Sequence, residues 1–139
     1  MSKYVKQATP GTTSIATTGN TDEYLMAAKT GKVVGVVFSS LATLAAHDSN
    51  YVTFQITNLG QAGAGTAEIL SSAAGNTTKA TGGTALAASS KRTLTLSSTV
   101  ADLSVVEGDV LRVRFAATGT LAGAVTRPIV EISIKTAQR

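Results

Sequence analysis

The stretch Lys32-Val33-Val34-Gly35-Val36-Val37-Phe38 decides the fold, because it is β-branched and apolar almost throughout and follows Gly31. Such a run predicts a β-strand. It has no polar side, so we expect it to be covered on both faces or to present one face to another molecule. An isolated monomer would have to cover both faces itself. The run therefore predicts self-association, as a homodimer or a homotrimer.

Outward from this run, other segments alternate apolar and polar residues, as half-buried strands do. In residues 51–58, Val52, Phe54 and Ile56 share one side. Glycine-rich turns separate the segments, and none has the periodicity of an amphipathic helix. The sequence therefore predicts an all-β fold, an antiparallel, jelly-roll-like β-sandwich of seven to eight strands, with an immunoglobulin-like topology as the alternative. Further strands are predicted at 66–71, 93–97, 103–105, 110–115 and 129–134, with weaker signals at 14–16 and around Leu86.

The two ends of the chain differ in composition. Residues 1–23 are mostly polar and predict an N-terminal arm that docks on a neighbouring subunit, or a flexible terminus. Residues 24–139 predict a single β-sandwich domain. Within it, 72–92 is nearly all Ala, Ser, Gly, Thr and Asn and predicts a low-complexity loop, and 41–46 predicts a short turn or helical kink.

Charge and cysteine content narrow the function classes. Only 14% of residues are charged, the net charge is +4, and there is no cysteine. The basic residues are scattered, without a basic run or interleaved aromatic platforms, so nucleic-acid binding is unlikely. No segment is apolar enough to cross a membrane, and no secretory signal is visible. We expect synthesis in the host cytoplasm and a surface suited to contact with other proteins.

The residues able to carry chemistry are few. His47 stands beside Asp48 in a predicted turn, and a catalytic triad around it has no supporting motif. Asp102, Glu107 and Asp109 form the one local acidic group, which also fits ordinary turn formation. The glycine-rich loop 60–66 lacks the lysine of a phosphate-binding loop. We therefore predict no enzyme activity, no catalytic, cofactor-binding or metal-binding residues, and no cofactor.

Several short segments resemble the capsid decoration, or cement, proteins of tailed bacteriophages. The resemblance implies a jelly-roll virion protein on the capsid exterior that bridges subunits of the major capsid protein and stabilises the shell. The alternative is a receptor- or carbohydrate-binding β-sandwich of a phage tail fibre, which an aromatic-lined groove would favour. A third hypothesis, an enzyme, would need a pocket around His47 or Asp109. The segments that carry the resemblance are His47–Phe54, Asn58–Gly60 with Gly63–Thr66, Glu107–Leu111, and Gly119–Leu121 with Thr126–Pro128.

Overall fold

A computed structural model describes residues 3–11, 14–15 and 17–136, and within them the fold is all-β. The predicted antiparallel β-sandwich is confirmed. The described residues form eleven strands rather than seven to eight, because five of the strands are only two residues long. The strands are β1 (Lys3–Ala8), β2 (Ser14–Ile15), β3 (Gly19–Met26), β4 (Gly31–Ser39), β5 (Tyr51–Asn58), β6 (Ala67–Glu68), β7 (Arg92–Thr93), β8 (Ser104–Val105), β9 (Val110–Thr118), β10 (Val125–Thr126) and β11 (Ile129–Thr136). Two single-turn 3-10 helices, Ala74–Asn76 and Val100–Leu103, join them.

Two antiparallel sheets hold the main strands. The first sheet has the order β1-β11-β4-β7, with β8 also paired to β4. The second sheet has the order β3-β9-β5-β6. Along the chain, strands pass between the two sheets at almost every step, and the small pair β2–β10 lies outside both. Nearly all pairings are therefore between strands distant in sequence.

The core between the sheets is built around the chain's three phenylalanines. Phe38 of β4 lies 4.6 Å from Phe54 of β5 and 6.1 Å from Phe115 of β9, measured between ring centroids. All three side chains are buried. Tilted and edge-on ring contacts of this kind add to the free energy gained by burying apolar area. They join the first sheet to the second.

A β-bulge resolves the uniformly apolar sequence of β4. Val33 is opposite Ile134 of β11, but the next pair is Gly35 with Ser133, so Val34 is an extra residue. The extra residue shifts the alternation of the strand, which places both Val33 and Val36 in the core. Val34 remains 41% exposed. Within the described chain, β4 is thus covered on one face only.

The N-terminal segment differs from the expected arm. Residues 3–8 form β1, which pairs with β11 of the same chain, and β3 crosses the expected boundary at residue 23. The Gln7 side chain ties β1 to the end of β3: its Nε2 donates to the Met26 carbonyl at 2.7 Å, and its Oε1 accepts from the Ala28 amide at 2.9 Å. Two strands of the sandwich therefore begin in a region that looked polar. Residues 1–2, 12–13, 16 and 137–139 lie outside the described residues.

The 72–92 segment is a loop, as predicted, but it is packed rather than loose. Arg92 closes it: Nη1 donates to the Thr84 carbonyl at 2.9 Å, and Nη2 donates to the carbonyls of Gly75 and Thr77, both at 2.7 Å. The guanidinium carbon also lies 5.3 Å from the centre of the Phe54 ring. Burial lowers the pKa of Arg92. The loop is therefore fixed to the core by one cation.

The predicted turn or kink at 41–46 contains no helix. Leu44 and Leu86 instead form an isolated antiparallel bridge, with amide-to-carbonyl distances of 3.0 and 2.8 Å. Both leucines are buried. The weak strand signal around Leu86 corresponds to this bridge, which closes the same loop from its other end.

Candidate functional site

His47 serves as a turn cap. Its Nδ1 accepts hydrogen bonds from the amides of Ser49 and Asn50, both at 3.0 Å. The neighbouring Asp48 carboxylate accepts from the amide and hydroxyl of Thr81, at 2.7 and 3.0 Å. These two bonds stabilise the charged carboxylate and lower the pKa of Asp48. Imidazole and carboxylate thus hold backbone segments together, and the pair does not form the base and orienting acid of a triad.

The three acidic candidates do not converge on one site. The Asp102 carboxylate accepts from the Ser97 hydroxyl at 3.1 Å, and Glu107 pairs with Lys29 at 3.3 Å. Asp109 is buried in its turn. Its Oδ2 accepts from the Asn58 side-chain amide at 3.0 Å and from the Val106 backbone amide at 2.9 Å. Across the described ranges, no three His, Cys, Asp or Glu residues group as metal ligands.

The glycine-rich loop 60–66 uses its own backbone amides. The Gly60 amide donates to the Asn58 side chain and the Gly65 amide donates to the Leu59 carbonyl, both at 2.9 Å. Gly60 has a φ of +68°, which glycine adopts without strain. The short strand β6 follows the loop. This geometry is that of a connector closed on itself.

A cleft of about 480 Å³ opens where the chain leaves β6. The sequence analysis missed it, although the pairs Ser71-Ser72 and Ser97-Ser98 were a signal of a hydroxyl-rich wall. Phe54 is the one aromatic residue in its lining, and it is only 2% exposed. The cleft therefore lacks the aromatic platform on which sugar rings stack. Its lining consists of Thr53, Phe54, Gln55, Glu68, Leu70, Ser71, Ser72, Ser97, Ser98 and Asp102.

The outer side of the first sheet is the most distinctive surface. We call it the first-sheet face and define it as the residues of β1, β11, β4, β7 and β8 that alternate with the buried ones. Most of its members are small or apolar, and Val34 and Ile129 are 41% and 44% exposed. Outer faces of sandwiches are usually polar. The face comprises Tyr4, Lys6, Ala8, Lys32, Val34, Gly35, Val37, Ser39, Thr93, Ser104, Ile129, Glu131, Ser133 and Lys135.

Charges on the first-sheet face are unevenly matched. Lys6 lies 3.8 Å from Glu131, which is the face's one acidic residue. Lys32 and Lys135 are directly opposite each other across β4 and β11. Neither has an ion-pair partner in the part of the chain that the structure describes. Like charges in opposite positions destabilise a sheet. One end of the face therefore carries two uncompensated ammonium groups.

The outer side of the second sheet, in contrast, matches its charges internally. Arg114 donates from Nε and Nη2 to the two carboxylate oxygens of Asp22, at 2.8 and 2.9 Å. These bonds lower the pKa of Asp22 and raise that of Arg114. Next to this pair, Arg112 and Glu68 both hydrogen-bond the Thr57 hydroxyl. This surface needs no external partner for its charges.

One buried carboxylate has no internal role. Glu23 lies on β3, at the edge of the second sheet, and its side chain is on the same side of the sheet as the core residue Val113. Neither of its carboxylate oxygens has a hydrogen-bond partner among the described residues. Inward-pointing charges on edge strands oppose pairing with further strands.

No helix among the described residues is long and apolar enough to span a membrane. No protein-family model, curated protein or solved structure matches this chain. The first-sheet face is the best candidate functional site, because it combines exposed apolar side chains with unmatched charge. The apolar run of β4 was its signal in the sequence, whereas the opposed lysines depend on strand register.

Proposed function

We propose that this chain is a structural virion protein that decorates the outside of an icosahedral phage capsid and bridges subunits of the major capsid protein. The observation that carries the proposal is the first-sheet face. Its central residues Val34, Gly35, Val37 and Ser133 carry no charge, and charged groups are costly to bury at the core of a contact. Such a surface suits docking on another protein.

The topology supports the jelly-roll part of the proposal. β1, β11, β4 and β7 form one sheet and β3, β9, β5 and β6 the other, so eight strands divide equally between two antiparallel sheets. The chain crosses from one sheet to the other between β1 and β3, β3 and β4, and β4 and β5. A double-sheet arrangement of eight strands is typical of jelly-roll domains, including those of capsids.

The size of the face supports attachment at several points. Four strands about 4.8 Å apart and about eight residues long cover roughly 500 Å². One partner in a stable protein interface contributes about 800 Å². A single face is thus too small for strong attachment. Several copies that bind a repeating surface together would dissociate slowly, because each dissociated contact is held close to its site by the others.

A non-catalytic function also agrees with the chemistry of the described residues. His47, Asp102 and Asp109 are each engaged in bonds that hold loops together. The alternative function, a receptor- or carbohydrate-binding sandwich of a tail fibre, would use the cleft beside β6. The burial of Phe54, the one aromatic residue in its lining, favours decoration over this alternative.

Co-sedimentation with purified DNA-filled heads tests the proposal. We expect the chain to bind at many copies per head. Val34→Arg, which puts a long side chain at the centre of the first-sheet face, should weaken binding at least roughly tenfold. Thr118→Arg is the matched control, because Thr118 is an exposed strand position at the end of β9. Failure of the unmodified chain to bind, or equal binding by both variants, would contradict the proposal.

A further inference from the structure

We infer that the first-sheet face binds an acidic protein surface, and that Lys32 and Lys135 receive its carboxylates; this inference rests on the proposed function. The face carries three lysines and one glutamate, a net charge of +2. The glutamate is already within ion-pair distance of Lys6. The two remaining ammonium groups lie side by side, so a carboxylate placed between them would relieve their repulsion.

Docking without such carboxylates would be unfavourable. Contact with a neutral surface would remove water from both ammonium groups without compensation, and uncompensated burial of charge is costly. A second copy of the chain seated on the same face would bring a net +2 against a net +2. The face therefore fits an acidic partner better than its own copy.

The partner is a protein surface rather than a nucleic acid. Val34, Val37 and Ile129 lie on the same face as the lysines, and a flat aliphatic area matches apolar side chains of a protein. The face has no arginine among its members, and the arginines of β9 belong to the other sheet. Tyr4, opposite Lys135 and 61% exposed, adds a hydroxyl that can donate to the same carboxylate.

The test compares two doubly neutralised variants that change net charge equally. Lys32→Gln/Lys135→Gln removes the proposed contacts, whereas Lys29→Gln/Lys79→Gln removes two lysines outside the first-sheet face. On DNA-filled heads, the first variant should bind roughly ten- to hundredfold more weakly and lose most of its dependence on salt. The control should bind nearly as the unmodified chain does. Equal melting temperatures would show that both variants are folded.

Two further measurements identify the partner's chemistry. Heads whose surface carboxylates have been converted to amides with carbodiimide and glycinamide should lose binding. A short DNA duplex, offered alone, should bind far more weakly than heads do. If the unmodified chain binds heads and the Lys32/Lys135 variant binds equally well, the inference is wrong while decoration stands. Unchanged binding to amidated heads, or duplex binding as tight as head binding, would also overturn it.

Discussion

Arg92→Met should destabilise the protein through the 72–92 loop. Methionine keeps an unbranched apolar side chain beside Phe54 but removes every donor of the guanidinium. The change leaves the carbonyls of Gly75, Thr77 and Thr84 without the cation that now joins them. The loop sequence offers little else to order it, because most of its side chains are small and exposed.

The size of the effect follows from the three bonds. A hydrogen bond to a charged group contributes about 1.5–3 kcal/mol net, and bonds at the surface contribute least because water replaces them. Only the bond to Thr77 is partly shielded from solvent. We therefore expect a loss of about 2–4 kcal/mol in the free energy of unfolding. For a chain of 139 residues this lowers the melting temperature by roughly 6–15 °C.

Urea unfolding monitored by circular dichroism, with parallel thermal melts, measures this loss. Arg92→Lys is the matched control: it keeps the charge but cannot reach three carbonyls, so its stability should fall between those of the unmodified chain and Arg92→Met. Hydrogen exchange should show the amides of 74–86 losing protection first. A loss below about 0.5 kcal/mol for Arg92→Met, the range of ordinary surface substitutions, would refute the assignment of Arg92 as the residue that fixes the loop.

Three further predictions concern the edges of the sandwich. Deleting residues 2–9 removes β1 and uncovers the inner side of β11, so the melting temperature should fall sharply instead of staying unchanged as a flexible arm would allow; an unchanged thermal melt would contradict the strand assignment. Glu23→Leu should raise the free energy of unfolding by about 1–3 kcal/mol, because a buried carboxylate without a partner is lost, and should increase self-association in light scattering; lower stability in urea would argue against it. Asp22→Asn should cost about 1 kcal/mol at pH 7. Since the Arg114 bond lowers the folded-state pKa of Asp22, that contribution is complete above the unfolded pKa near 3.8 and disappears as pH falls through the folded value, so unfolding curves of variant and unmodified chain should converge in acid.

The sequence predicted the strands whose inner positions are apolar. In β5 and β9, burial of every second residue requires the alternation that the sequence displays, and both strands lie where the pattern put them. β1 and β3 were missed because polar residues occupy inner positions: Gln7 in β1, and Thr21 and Glu23 in β3. A period of two in hydrophobicity is absent there, although the backbone pairing is regular. Register with a distant strand, which local pattern does not contain, decides these elements.

The candidate site was only partly predictable for the same reason. The apolar run of β4 indicated that one of its faces might serve as an interface, and the structure leaves one face of β4 uncovered. The approach of Lys32 to Lys135 depends on the bulge at Val34, which sets the β4–β11 register beyond that point. Residues about a hundred positions apart meet there, and no spacing rule in the sequence could pair them.

Electron cryomicroscopy of DNA-filled heads saturated with this chain tests the central claim most directly. The account predicts density for the sandwich on the outer surface of the shell, with the first-sheet face against capsid subunits. Acidic side chains of those subunits should lie within about 4 Å of the Lys32 and Lys135 ammonium groups, the distance of an ion pair. A map in which that face points to solvent, or in which the heads carry no added density, would contradict the account.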